Sequence, residues 1–541
     1  METEAIARSL KLTAQLMELH NENPFKVKSL ANAAFKLDKT NIQLAGKTSL
    51  ELEAIEGVGK SIAGKILELE QTGTLKELDA LLAQTPTGVI EMLGIKGIGT
   101  KKVSQLWTEL GVESPGELLY ACKENRLVDL KGFGSKTQAS VKKAIEFNLA
   151  SKGRFHYAAV EHFANDLVDR MKKKLNTNQI SLTGAIRRKA ILIDEVDILA
   201  AVSEEISLSD YTIPDGLKIK ILYCQASEFS MKLFESTGSA EHLASLGNWG
   251  SLVPADVTDE TKVYSLLGMQ YIVPELREGR GETALAREHR LPVLVQESDL
   301  KGVLHNHSTW SDGAHSLTEM AEHAKELGYE YLGICDHSQS AFYANGLKPD
   351  RVLAQHIEID ELNKRLAPFK IFKGIESDIL FDGSLDYSND ILSRFDFVVA
   401  SIHSVLKMDE QKATARLIRA IENPYTTILG HPTGRLLLSR EGYPVNHLKV
   451  IEACAKNNVV IELNAHPYRL DIDWSWIQTC IEMGVKIAIN PDAHEKQGYQ
   501  NMYYGVCAAR KGMLSAAWCF NAQNRDTLSS SFASRKAGIT V

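Results

Sequence analysis

Eleven of the sixteen histidines lie beyond position 300, and six of them end short apolar runs of strand-like composition. The runs are Gly-Val-Leu-His305-Asn-His307, Leu-Gly-Ile-Cys-Asp336-His337, Val-Val-Ala-Ser-Ile-His403, Thr-Ile-Leu-Gly-His431 and Lys-Ile-Ala-Ile-Asn-Pro-Asp492-Ala-His494, with Glu376 closing Phe-Lys-Gly-Ile. Residues two apart in an extended segment face the same side, so His305 pairs with His307 and Asp492 with His494. With Asp312, these side chains make nine nitrogen and oxygen ligands, which exceeds one ion and suits two or three divalent cations such as Mn, Zn or Fe. Such a cluster can clamp a phosphate and lower the pKa of a water for in-line attack at phosphorus. Phosphoester hydrolysis is the expected chemistry. His315, His323, His356 and His447, outside this pattern, are expected to be ordinary hydrogen-bonded residues. Arg435 and Arg469 are candidate phosphate contacts through bidentate hydrogen bonds.

Ligands so far apart in sequence need a scaffold that brings strand ends together. In a closed parallel barrel every strand presents its C-terminal end on one face. The alternation of apolar strand-like runs with helical patterns after Lys301 has the periodicity of βα units. The chain of 541 residues is long enough for several cores. Its 44% hydrophobic and 24% charged residues describe a folded protein without disordered composition. No run is long and apolar enough for a membrane span and the N-terminus lacks signal-peptide character, so a cytoplasmic protein without membrane contact is expected; the sequence does not fix its oligomeric state, for which a monomer is the expectation. Seven scattered cysteines, with no C-x-x-C, argue against a disulfide framework or a thiolate zinc site.

The first 150 residues read as short helices in which one phrase recurs: Ile-Glu-Gly57-Val-Gly59-Lys60, Ile-Lys-Gly97-Ile-Gly99-Thr and Leu-Lys-Gly132-Phe-Gly134-Ser. Each Gly-x-Gly permits a tight turn and leaves the amides of the next helix open to an anion. This is the helix-hairpin-helix signature, expected to hold a DNA backbone without reading sequence. A net charge of −8 gives no global attraction to DNA, so contact would rest on those amides and on Lys60, Lys101, Lys102 and Lys136. From Arg154 to Val295 the pattern becomes mixed α and β, with strands expected at 179–183, 196–202 and 217–224. Residues 291–301 read as a linker.

At the nine ligand positions the C-terminal part resembles a PHP (polymerase and histidinol phosphatase) domain, a distorted β/α barrel with a trinuclear site. The order of zones, with Asn23-Pro24-Phe25-Lys26, Thr237-Gly238-Ser239 and Pro274-Glu275-Leu276-Arg277-Glu278, resembles the bacterial family X DNA polymerases over nearly the whole chain. The resemblance implies a multidomain α+β and α/β protein. Its parts would be a helical lyase-like domain (1–80), helix-hairpin-helix fingers (81–153), a nucleotidyltransferase-like palm (154–230), a reduced thumb (231–290) and the PHP phosphoesterase (302–541). It also implies binding of gapped, nicked or single-stranded 3′ ends, a monovalent cation at the helix-hairpin-helix turns, and 3′–5′ exonuclease, abasic-site endonuclease or 3′-phosphatase activity.

The palm departs from the family pattern, which sets Gly-Ser-x-Arg-Arg before Asp-x-Asp and a third Asp on a neighbouring strand. Here Gly184-Ala185-Ile186-Arg187-Arg188 lacks the hydroxyl, the pair is Glu195 and Asp197, and Lys220 stands where the third carboxylate belongs. An ammonium ~4 Å from a unit positive charge costs about 4 kcal/mol at an effective dielectric of 20, and about twice that opposite a divalent ion. A Mg pair is therefore not expected, and Arg187, Arg188, Thr237, Gly238 and Ser239 are expected to remain only as traces of a nucleotide site. Lys65, in Gly57-Val-Gly-Lys-Ser-Ile-Ala-Gly-Lys65, aligns with the family's Schiff-base lysine. The leading expectation is a DNA-repair phosphoesterase with lost or weak polymerisation. An active gap-filling polymerase, a non-catalytic DNA-end scaffold and a small-metabolite phosphatase are the competing readings.

Overall fold

The computed structural model describes residues 3–39, 42–95, 97–128, 130–150 and 153–538, with the backbone alone for 147–150. Two compact units emerge: residues 1–122 with 131–148, and residues 123–130 with 149–541.

The first unit is helical, and its turns repeat one solution. Thr48 and Glu51 form a reciprocal capping box that starts the helix Ser49–Glu53. The chain then turns at Gly57, and the same turn recurs at Gly97 and Gly132, with φ of 90°, 91° and 85°. An L side chain rarely adopts that conformation. Between the glycines Val58, Ile98 and Phe133 are buried, pinning each hairpin to the core. Lys96, in the second phrase, lies outside the described residues.

In the second unit, the strand Glu195–Ala200 is central, with Ile180–Thr183 antiparallel and Lys218–Tyr223 parallel to it. The helix Tyr157–Leu175 covers this sheet through Val160, Ala164, Leu167 and Met171. The helices Phe229–Thr237, Ala240–Ser245 and Glu260–Leu266 follow around a separate core that includes Phe234, Val263 and Tyr264. Residues 291–301, expected to link, are packed instead. Leu294, Val295 and Leu300 are buried, Val295 N donates to Leu514 O and Lys301 N donates to Asn521 O.

The remainder is a parallel barrel built from two sheets. Gly302–Val303, Tyr331–Ile334 and Lys370–Lys373 form one, and Glu376–Asp378, Val398–Ser401, Thr426–Leu429, Val460–Asn464 and Ile487–Asn490 the other. Single bridges at Asn306–Ala493 and His337–Glu376 join the sheets on both sides. Lys370–Lys373 and Glu376–Asp378 are successive parts of one strand, interrupted at Gly374. A Cβ there would lie 2.5 Å from Phe397 and 2.6 Å from the Ile334 carbonyl, so only glycine fits the bend. The strands are buried on both faces, as parallel strands covered by helices must be.

Candidate metal centre

Eight of the nine proposed ligands follow a strand at the C-terminal mouth of the barrel, whereas Glu376, expected to close a strand, opens Glu376–Asp378, and all nine are buried or nearly so. Glu376 sits at the centre. Its Oε1 lies 2.9 Å from His431 Nε2, 3.1 Å from His403 Nε2 and 3.3 Å from His305 Nε2, and its Oε2 lies 3.0 Å from His337 Nδ1. Around it, donor atoms gather within 4.8 Å of one another in three overlapping groups: His307, Asp312, His337 and His494; His305, His307 and Asp492; and His337, Glu376 and His403. Asp492 holds a left-handed backbone, φ 50°, a strained conformation of the kind that collects at functional sites.

The electrostatics call for cations. Burial disfavours every charge here, yet Glu376 and Asp492 are held well below the ordinary carboxylate range by the surrounding imidazoles. Conversely, burial is outweighed at His305 by Glu462, Glu376 and Asp492, which push its pKa well up. His403 rises to about 10 beside Glu376 and Asp378, and His494 to about 9 beside Asp312. His307 goes the other way, to about 3, because burial and its neighbours His494 and His337 both oppose a second charge. Such a set binds divalent ions by exchanging protons for metal. Nε2 of His305, both ring nitrogens of His337, Nε2 of His494 and Oε2 of Glu376 are buried and, among the described residues, make no hydrogen bond of good geometry despite their close approaches. Buried polar atoms are rarely left so, and atoms that turn toward a common centre are suited to metal coordination. The residues present therefore fit a multi-metal site.

Three carboxylates that escaped the sequence reading hold the ligands in place. Glu462 Oε2 accepts from His305 Nδ1 at 2.7 Å and Asp378 Oδ1 accepts from His403 Nδ1 at 2.6 Å, which leaves the Nε2 atom of each imidazole for the centre. Asp336 accepts from the Ser308 and Ser311 hydroxyls and from Gln355 Nε2, pinning the loop that carries Asp312. A signal did exist for Glu462, a charged residue inside the apolar run Val-Ile-Glu-Leu-Asn. Asp378 stands two residues from Glu376 on the same strand.

The arginines are placed differently from the expectation. Arg435 donates to Asp473 Oδ2 at 2.7 Å and to the carbonyls of Arg469 and Leu470, so its guanidinium braces a loop instead of facing a phosphate. Arg469 is buried, with Nη2 3.9 Å from Glu124 Oε1.

In the smaller sheet Asp197 pairs in register with Lys220, and Lys220 Nζ lies 3.9 Å from Glu195 Oε1. Burial and Glu195 raise the pKa of Asp197, against the pull of Lys220 and Arg188. Arg187 is bidentate to Glu260 and donates to Thr237 Oγ1 at 2.7 Å. Arg188 donates to Glu278 Oε1 and to the Thr237 carbonyl. Gly238 packs on His242 and Leu243, and Ser239 caps the next helix by accepting from His242 N. Of these five residues, expected as traces of a nucleotide site, Arg187 and Arg188 are bound to Thr237 and to Glu260 and Glu278, while Ser239 N donates to the Arg277 carbonyl and Gly238 N to that of Phe234. In the helical unit Lys65 is ion-paired with Glu77. Gly57, Gly59, Lys60, Gly97, Gly99, Lys101, Gly132 and Lys136 are exposed and Gly134 partly so. The helices after Gly59 and Gly99 begin without a side-chain cap.

A parallel barrel whose strand ends converge on buried histidines and carboxylates belongs to the metal-dependent phosphoesterase class, and residues 304–466 match the PHP domain family. Residues 1–75 match a helix-hairpin-helix domain and 89–146 a SAM-like helix-hairpin-helix tandem, domains that imply DNA binding. The chain is 32% identical to the DNA polymerase/3′-5′ exonuclease PolX of Bacillus subtilis (strain 168), over 97% of its own length and 98% of that protein. It belongs to the bacterial PolX family. Its barrel region is also 31% identical to a probable phosphatase of Thermoanaerobacter sp. (strain X514) and 28% identical to one of Clostridium novyi (strain NT), over 35% of this chain and 77% and 78% of those proteins. Among the described residues no helix is long and apolar enough to cross a membrane.

Proposed function

We propose that the protein is a cytoplasmic DNA-repair enzyme whose barrel, residues 302–541, hydrolyses phosphoesters at DNA ends or abasic sites. Its helical segments 1–80 and 81–153 hold gapped, nicked or single-stranded DNA. The observation that carries this reading is the convergence of His305, His307, Asp312, His337, Glu376, His403, His431, Asp492 and His494 at one strand-end mouth, with Glu376 among four imidazoles. Two or three Mn, Zn or Fe ions held there would polarise the phosphate and supply a nucleophile from water at neutral pH. Glu376, grouped with His337 and His403, would offer its carboxylate to such an ion. Glu462 and Asp378 keep protons on Nδ1 of His305 and His403, so that neither ring can turn its Nδ1 inward. Burial of the ligands strengthens each of these interactions by excluding water.

Segments 154–230 and 231–290 act as palm and reduced thumb that support DNA without extending it. Lys220 replaces a carboxylate at the register position opposite Asp197, and Arg187 and Arg188 are committed to Glu260 and Glu278.

The test uses metal-reconstituted protein with labelled single-stranded and gapped DNA in Mn, with and without dNTPs. Wild type shortens the DNA, and His305→Ala/His307→Ala does not. Template-dependent extension in Mg that Asp197→Ala abolishes would overturn the silent palm. Neither shortening nor extension would favour a scaffold or a small-metabolite phosphatase.

A further inference from the structure

Beside Asp492 and His494 opens a cleft of about 510 Å³, within the size range of sites that enclose a ligand. Its far wall is formed by Lys123, Tyr468, Tyr503 and Tyr504, with only Ala158 and Ala159 projecting from the helix Tyr157–Leu175. None of these wall residues is needed to hold a metal. Tyr468 and Tyr503 are partly exposed, and neighbours fix both rings. The His156 ring lies 4.3 Å from that of Tyr468. Tyr503 shares a 3.0 Å hydrogen bond with Glu161 Oε1. Each ring also has a cation over it: Lys123 Nζ is 5.8 Å from the Tyr468 centroid and Lys189 Nζ is 5.3 Å from that of Tyr503.

Rigid aromatic faces with lysines alongside, leading to metal ligands, are the elements that bind a single nucleic-acid strand by stacking its bases and tracking its phosphates. We propose that this cleft is the subsite for the nucleotides adjoining the scissile phosphodiester, with Tyr468 and Tyr503 as base platforms and Lys123 as a backbone contact. The proposal rests on the phosphoesterase reading above and adds to it where the strand lies. It gives the partly exposed rings a role and accounts for Ala158 and Ala159 in the lining, since larger side chains there would fill the space.

The test has two arms on the full-length, Mn-loaded protein. In the first, a single-stranded oligonucleotide carrying 5-iododeoxyuridine next to its 3′ end is photocross-linked and the adducts are mapped by mass spectrometry. Adducts at Tyr468 or Tyr503 are expected, and adducts confined to the helical unit overturn the subsite. In the second, kcat/KM for the oligonucleotide is compared with that for thymidine 5′-(p-nitrophenyl phosphate), which has no adjoining nucleotide. Tyr468→Leu and Tyr503→Leu are each expected to lower the oligonucleotide-to-ester ratio by about 5–100-fold, and Lys123→Gln to raise KM for the oligonucleotide alone. A ratio that none of the three changes overturns the proposal. Adducts at these tyrosines without hydrolysis would refute the hydrolytic reading and leave the subsite standing; hydrolysis without such adducts would do the reverse.

Discussion

Glu462→Gln is the most discriminating single change, because all four partners of this carboxylate are donors. His305 Nδ1 lies at 2.7 Å, Asn490 Nδ2 at 3.0 Å, the His431 backbone N at 3.1 Å and Asn464 Nδ2 at 3.3 Å. An amide is nearly isosteric, yet each carboxylate oxygen accepts from two of these donors, so the NH2 group must face a pair of them. That leaves two buried donors unmet, at about 1–3 kcal/mol each, and it weakens the charge-assisted bond to His305, which is about twice as strong as a neutral one. Loss of an outer carboxylate of this type lowers metal affinity about 10–100-fold, or about 1.4–2.8 kcal/mol. The assay dialyses wild type and variant against graded chelator and measures bound metal by plasma mass spectrometry, with the urea midpoint recorded separately. The expected result is earlier metal loss in the variant by that factor. If the variant holds its metal like wild type at every chelator concentration, Glu462 does not orient His305, and the assignment of His305 Nε2 to the metal side is wrong.

Other changes probe the supporting structure. Glu260→Ala strips the partner from Arg277, which is 0% exposed with Nη1 at 2.5 Å from Glu260. A loss of about 3–5 kcal/mol in urea unfolding is expected, and a loss below 1 kcal/mol would mean that the guanidinium finds water. His156 is buried, its pKa lowered by burial to about 4 and only partly restored by its contact with the Leu437 carbonyl. The fold keeps it neutral while the unfolded chain protonates near pH 6.5, so stability present above that pH is lost as pH falls toward 4, by up to about 3 kcal/mol. His156→Gln should flatten this part of the urea-midpoint profile, and an equally steep profile would count against it; His356, also lowered to about 4, adds a slope of the same sign. Lys65 must leave Glu77 to attack an aldehyde. Borohydride trapping on a nicked abasic substrate is therefore expected to be faint in wild type and to increase several-fold in Glu77→Gln, whereas trapping that survives Lys65→Ala would exclude this lysine.

Much of the metal cluster was legible because strand ends are legible. A histidine after a run of Val, Ile and Leu states both the element and the ligand's place on it, and parallel closure sends all such ends to one face. The helical repeats were readable for a related reason. Gly57, Gly97 and Gly132 mark a positive φ that few other residues tolerate, so a backbone conformation left its trace in residue type. Lys220 could be placed by counting back from Thr237-Gly238-Ser239 within the family resemblance, and the sheet sets it in register with Asp197.

Tertiary structure decided the rest, wherever a side chain's role depends on which distant group it meets. Arg435 could have faced a phosphate or a carbonyl, and the loop Arg469–Asp473 decided for the carbonyls. Arg187 and Arg188 keep the residue types of a nucleotide site, but Glu260 and Glu278, dozens of residues away, take up their donors. Glu462 and Asp378 resemble many acidic residues until His305 and His403 are set against them. The cleft walled by Lys123, Tyr468 and Tyr503 joins segments more than 300 residues apart. Residue type and periodicity thus determined the local elements and the stock of candidate ligands, while orientation and pairing were settled only by packing, because those properties belong to pairs of residues that the chain brings together only on folding.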